Sequence, residues 1–189
     1  MKKSIKKRAV SRRQRYDKKR KHAKSYPISL CAINFMCDGN LGYLIRSAAC
    51  FGAECVHVIG SVPNRNIING LSGSLYDYVK ISKYTTPQNF LDHAKSNNIQ
   101  IISAEIDEAA EPLTSYTFNF DCRVVLVVGN EYSGVPVEIM KASQKIYIPM
   151  PGVGYCLNTA QTANILLYEA VRQFNSSESL KNTGYKGKT

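Results

Sequence analysis

The stretch Val124-Val125-Leu126-Val127-Val128-Gly129-Asn130-Glu131-Tyr132-Ser133-Gly134-Val135-Pro136 opens with five consecutive apolar residues and closes with a turn that holds two glycines. A short apolar, β-branched run bounded by glycine reads as a strand buried on both faces, of the kind found at the centre of a parallel sheet. The turn exposes backbone N–H and C=O groups at the carboxyl end of that strand. Glu131 lies in the turn, where a carboxylate can hold a polar group or cap the next helix. The spacing is not a phosphate loop, because no Lys-Ser or Lys-Thr follows the second glycine.

Working outward from this run, the pattern alternates. Residues 28–35, 55–59, 78–81, 99–104 and 146–148 read as strands, and 40–51, 87–96, 136–142 and 158–174 as helices. Residues 64–74, rich in Asn, Gly and Ser, read as loop. Strands alternating with helices imply an α/β domain with a mostly parallel sheet, whose ligands gather at the carboxyl ends of the strands. Two further segments lie at such ends. Asp38-Gly39-Asn40-Leu41-Gly42-Tyr43-Leu44-Ile45-Arg46 follows the first strand; Asn40 suits a helix cap, and Arg46, two turns in, belongs on a polar face. Gly42 leaves room for a close approach near the helix start. After the last strand, Pro149-Met150-Pro151-Gly152-Val153-Gly154-Tyr155-Cys156-Leu157-Asn158 is forced into an irregular loop by two prolines and two glycines. Each segment alone also reads as an ordinary cap, turn or connection.

Composition bounds the partners. The 44% hydrophobic share supports a proper core in residues 28–174, and no apolar run approaches the roughly 20 residues of a membrane span. Six cysteines without a C-x-x-C pair and three scattered histidines argue against structural zinc and for reduced thiols in a cytoplasmic protein. The formal charge of +11 is concentrated: residues 1–24 carry 13 Lys/Arg against Asp17 alone, a balance of +12, and the remainder carries −1. Such a block repels itself and suits a polyanion. We therefore expect residues 1–27 to be a disordered arm that holds nucleic acid by its phosphates, with a solubility tail or a localisation signal as the alternative. Residues 175–189 are polar and are expected to form a flexible tail.

Taken in order, the three segments resemble the SpoU (TrmH-like) branch of the SPOUT RNA methyltransferases. The residues that carry the resemblance are Asn40, Gly42 and Arg46, then Gly129, Glu131 and Gly134. They continue with Ile148-Pro149-Met150, Gly152, Leu157-Asn158 and Leu167-Tyr168-Glu169-Ala170. The resemblance implies an α/β fold with a C-terminal deep trefoil knot, a homodimer, and S-adenosyl-L-methionine as methyl donor to a ribose 2′-hydroxyl of structured RNA. No metal is implied. Transfer RNA is favoured over ribosomal RNA as substrate. It further implies cofactor contacts at Gly129, Ile148 and Leu157, and catalytic or substrate-orienting roles for Asn40, Arg46, Glu131 and Asn158. Cys156 stands where the family usually has Ser, and a thiol is the weaker hydrogen-bond donor. The alternative is a catalytically weakened RNA-binding relative. As a guanidinium stays protonated, Arg46 is expected to act on phosphate and developing alkoxide rather than as a base, with Glu131 ordering Arg46 or the substrate.

Overall fold

The computed structural model describes residues 10–177. The chain runs α1 (Arg12–Arg20), β1 (Ile28–Ile33), α2 (Asp38–Phe51), β2 (Cys55–Ile59), α3 (Arg65–Leu71), β3 (Lys80–Tyr84) and α4 (Pro87–Ser96). It continues through β4 (Ile99–Ala104), β5 (Glu111–Pro112), β6 (Arg123–Val128), α5 (Val137–Lys141), β7 (Gln144–Tyr147) and α6 (Thr159–Ser177). Among the described residues seven strands form one sheet in the order β3-β2-β1-β6-β4-β7-β5, and every pairing is parallel. The α/β class expected from the alternating pattern is thus the one observed.

The run 124–128 lies between β1 and β4, with all five residues buried. Its side chains alternate as the period-two geometry of a strand requires. Val124, Leu126 and Val128 join Ile28, Leu30 and Ala32 of β1 in a core covered by α2 and α6. Val125 and Val127 join Cys31 and Ile33 on the other face, against Phe90 of α4 and Ile139 of α5. The chain leaves β1 outward to β2 and β3, then returns to the far side of β6. Strand order therefore reverses between β1 and β6, and a crevice opens at the carboxyl ends of strands at such a switch point.

Four expectations need correction. Residues 64–74 are not all loop: 65–71 form α3, capped by Asn64 Oδ1, which accepts from Asn66 N at 2.9 Å, and fixed by the fully buried Ile68. Its weak helix formers are overruled by packing, and Gly42 makes the packing feasible, since a Cβ there would lie 2.4 Å from Leu71 Cβ. The strand expected at 78–81 begins at Lys80, after a 3-10 turn at Tyr76–Tyr78. The C-terminal tail does not start at 175: α6 continues to Ser177, and Asn175 accepts from the Tyr26 hydroxyl at 3.1 Å. Residues 178–189 lie outside the described residues.

The fourth correction concerns the basic arm. Residues 12–20 are helical, not disordered. Ser11 and Gln14 form a reciprocal capping box, and Lys18, Lys19 and Arg20 in the last turn complement the helix dipole. Like-charge neighbours oppose a helix this short in isolation. Its contacts with the domain are what make the difference: the Tyr16 hydroxyl donates to Gly73 O at 3.2 Å, and the Tyr78 hydroxyl donates to Asp17 at 2.6 Å. The basic residues before residue 10 lie outside the described residues.

Candidate active site

The turn after β6 is closed on itself. Asn130 and Gly134 exchange backbone hydrogen bonds of 3.0 and 3.1 Å, and Asn130 Oδ1 accepts from Tyr132 N and Ser133 N. Gly129 is required by this closure, since a Cβ there would lie 2.3 Å from the carbonyl carbon of Gly134. Gly134 itself sits at φ +66°, where a side chain is strained. Asn130 Nδ2 donates to Asn34 O at the end of β1, which ties the turn across the switch point.

Glu131 is thereby aimed at the start of α2. It accepts from Met36 N at 2.9 Å and Cys37 N at 3.4 Å, and from Asn40 Nδ2 at 2.5 Å. Burial alone would raise its carboxyl, but these hydrogen bonds outweigh burial and hold it below the ordinary Glu range. Asn40 is not a cap, since the N-cap position belongs to Cys37. It lies within the first turn of α2, 6% exposed, and its Oδ1 accepts from Asn158 Nδ2 at 2.9 Å. Asn158 Oδ1 in turn accepts from Ala160 N at 2.9 Å, capping α6. One side-chain relay, Glu131–Asn40–Asn158, thus joins the three segments.

The relay borders a cleft of about 480 Å³, within the usual range of small-molecule sites. Gly129, Glu131, Ile148, Cys156, Leu157 and Asn158 line it, so the residues expected to hold a cofactor are gathered there. Val128, Ile146 and Met150 add apolar wall, and Asn130 and Thr162 add polar groups. Two of its polar groups have no role assigned from the sequence. Glu105, the residue after β4, accepts from Val135 N at 3.1 Å and from Ile106 N at 3.2 Å, holding the second half of the glycine turn. Its only signal in the sequence is an acid at the carboxyl end of an apolar strand. Thr159 Oγ1 is buried without a hydrogen-bond partner, an orphaned donor and acceptor in a residue that lines the cleft. A cleft with apolar wall, backbone, two carboxylates and an unpartnered hydroxyl fits a cofactor with an aromatic ring and a polar tail.

Arg46 is not brought to this relay. It is exposed on α2, outside the cleft lining, with its guanidinium against the loop at Gly73: a Cβ on Gly73 would lie 3.7 Å from Arg46 Cζ. Glu131 does not order Arg46; its hydrogen bonds go to the 36–40 segment. Among the described residues, no group of three or more His, Cys, Asp or Glu is assembled as metal ligands would be. No helix among them is long and apolar enough to cross a membrane.

Known proteins are similar to this chain in sequence and in fold. The chain is 31% identical over 144 residues to the tRNA (guanosine(18)-2′-O)-methyltransferase of Aquifex aeolicus, covering 75% of this chain and 67% of that protein. It is 29% identical over 141 residues to the 23S rRNA (uridine(2479)-2′-O)-methyltransferase of Streptomyces viridochromogenes, covering 71% of this chain and 49% of that one. It therefore spans about half to two thirds of the length of these relatives. The same fold occurs in the crystal structure of the SpoU methyltransferase AviRb from Streptomyces viridochromogenes in complex with the cofactor AdoMet. That match has a TM-score of 0.69 at 24% identity, over 82% of this chain and 60% of that one. Residues 27–168, which hold all three segments and the relay that joins them, match the SpoU rRNA Methylase family, and the chain belongs to that family.

Proposed function

We infer that the protein transfers a methyl group from S-adenosyl-L-methionine to a ribose 2′-hydroxyl in RNA. The observation that carries this reading is the Glu131–Asn40–Asn158 relay at the border of the cleft, in a chain whose relatives are named RNA 2′-O-methyltransferases. Transfer RNA is the favoured substrate, since the relative matched at 31% identity acts on tRNA, while the one at 29% acts on ribosomal RNA.

Backbone at Gly129, Ile148 and Leu157, with the Thr159 hydroxyl, would hold the cofactor, which when bound supplies an electrophilic methyl group on a sulfonium. The chain's own contribution is placement. Asn40 and Asn158 lock the loop 149–158 to α2, and Glu131, ionised and engaged by three donors, fixes the start of α2 rather than serving as a base. Fixed geometry of this kind lowers a displacement barrier by up to about 7–11 kcal/mol. Arg46, exposed outside the cleft lining, binds the phosphate next to the reacting ribose, and a phosphate oxygen takes the proton. Cys156, exposed in the cleft lining, fills the position of the family's Ser as a substrate-orienting residue.

The protein works as a homodimer in the cytoplasm, where its six free thiols stay reduced. Supporting the dimer, α2 and α6 pack together and leave Tyr43, Ile165 and Tyr168 exposed. The C-terminal part is threaded as a trefoil knot. In support, the chain leaves β7 near one edge of the sheet, yet α6 packs back across β6 and β1 against α2.

The test is mass spectrometry of nucleosides from cells with and without the protein, complemented by the wild type and by Arg46→Ala. One 2′-O-methylnucleoside should disappear with the protein and return only with the wild type. An unchanged set of 2′-O-methylnucleosides would refute the activity. Full complementation by Arg46→Ala would remove Arg46 from the mechanism.

A further inference from the structure

The cations of α1 lie on the surface of a helix that is anchored beside Arg46. Apart from Tyr16, which is half-buried, every residue of α1 is exposed. The anchor uses two of the three non-basic residues of α1, Tyr16 and Asp17. The Tyr16 hydroxyl binds Gly73 O, and its ring meets that of Tyr78 edge-on at 5.6 Å between centroids. Asp17, the one acid of the basic block, accepts from the Tyr78 hydroxyl. The guanidinium of Arg20 lies 5.8 Å from the centroid of the Tyr78 ring. The segment that receives α1 is itself braced, because Asp77 is paired with Arg65, whose guanidinium lies over Tyr76. Gly73, which α1 grips by its carbonyl, is the residue that Arg46 rests against. None of the four ion pairs among the described residues takes a cation from α1 or from Arg46.

We propose that α1 is a fixed cationic rail: docked through Tyr16, Asp17, Tyr78 and Gly73, it seats the RNA phosphodiester backbone in register with Arg46. This rests on the RNA methyltransferase reading and adds to it a place for the strand. The helix is roughly 13 Å long at 1.5 Å per residue, long enough to meet several phosphates flanking the target nucleotide. Arg12, Arg13, Arg15, Lys18 and Lys19 bind phosphate and set position, and they read no bases. A flexible tether of the same charge would raise affinity without fixing where the ribose lies.

The two arrangements separate when the anchor is cut and the charge kept. Tyr16→Phe/Tyr78→Phe removes both hydroxyls and no cation; Asp17→Ala removes the acceptor and makes the arm one unit more positive. Each variant is compared with the wild type in methyl transfer to total RNA from cells lacking the protein, and in affinity for a 20-mer of polyuridylate over a salt series. Hydrogen exchange of α1 and of residues 72–78 is followed with and without that oligomer, and a melting curve checks the fold. The rail predicts that kcat/KM falls about fivefold or more in both variants, while the salt slope for the oligomer stays within about one ion of the wild type. It also predicts that the oligomer protects α1 and 72–78 together in the wild type alone. Equal kcat/KM in wild type and variants overturns the rail and leaves α1 a tether. An inactive wild type would instead refute the transferase reading. The rail as an RNA seat is then decided by hydrogen exchange, and the oligomer failing to protect α1 together with 72–78 overturns it.

Discussion

Replacing Asn40 by aspartate turns the central hydrogen bond of the relay into a repulsion that pH can switch. Asn40 Nδ2 donates to Glu131 Oε1 at 2.5 Å, and Asn40 Oδ1 accepts from Asn158 at 2.9 Å. Aspartate keeps the acceptor and sets a second carboxylate oxygen where the donor was. At roughly 3 Å and an effective dielectric near 20, two such charges repel by about 5 kcal/mol. Glu131 is partly open to solvent, and screening takes about half of this, leaving roughly 2–3 kcal/mol. The pair escapes by holding a proton, which moves its titration up by about two pH units. The sign follows from linkage. The carboxyl introduced by Asn40→Asp is raised in the folded state, so its protonated form, which donates to Glu131 as the amide did, is present at low pH and lost as pH rises through the raised value. Asn40→Asp should therefore lie closest to the wild type near pH 5 and fall behind toward pH 8, by up to about 1.4 kcal/mol per pH unit where it is steepest. Asn40→Ala should lose about 1–3 kcal/mol at both values, because it orphans its partners without adding a charge. Urea unfolding of the three proteins at pH 5, 6, 7 and 8 measures this directly. A gap between wild type and Asn40→Asp that does not change with pH would refute the Asn40–Glu131 contact and the relay built on it.

Gly42→Ala should destabilise by about 1–3 kcal/mol, because a clash with Leu71 outweighs the gain of up to about 1 kcal/mol in helix propensity; a melting temperature at or above the wild type contradicts the packing of α3 on α2. His57 is held down to about 4 by burial first and then by His93 and Lys80, so it stays neutral in the fold while the unfolded chain takes up a proton. Stability should fall as pH drops from about 6.5 toward 4, by up to about 1.4 kcal/mol per unit, and His57→Gln should flatten that fall; identical slopes in the two proteins would disprove it. Cys156→Ser should keep or raise the rate of methyl transfer, and an inactive Ser variant would give the thiol a role that a hydroxyl cannot fill.

The sequence by itself determined the elements whose signal is local. The apolar run 124–128, the strand 55–59 and the proline-led helix 87–96 were legible because burial on both faces, glycine stops and first-turn proline act over a few residues. That three segments share the carboxyl ends of strands was legible too; Gly129, Ile148, Cys156 and Leu157 were singled out within them by the family resemblance, and they line one cleft. Tertiary structure decided the rest. The residues 65–71 are helical because Gly42 lets Leu71 approach α2, a contact between residues 29 positions apart. Asn40 reads locally as a cap and is made a bridge by Glu131 and Asn158, which lie 91 and 118 positions away. The basic block reads as a self-repelling arm, and its residues 12–20 are made a helix by Tyr78 and Gly73, which supply partners their own sequence lacks. In each case the deciding energy is a hydrogen bond or a packing contact between distant residues, and no local pattern encodes which distant residue will arrive.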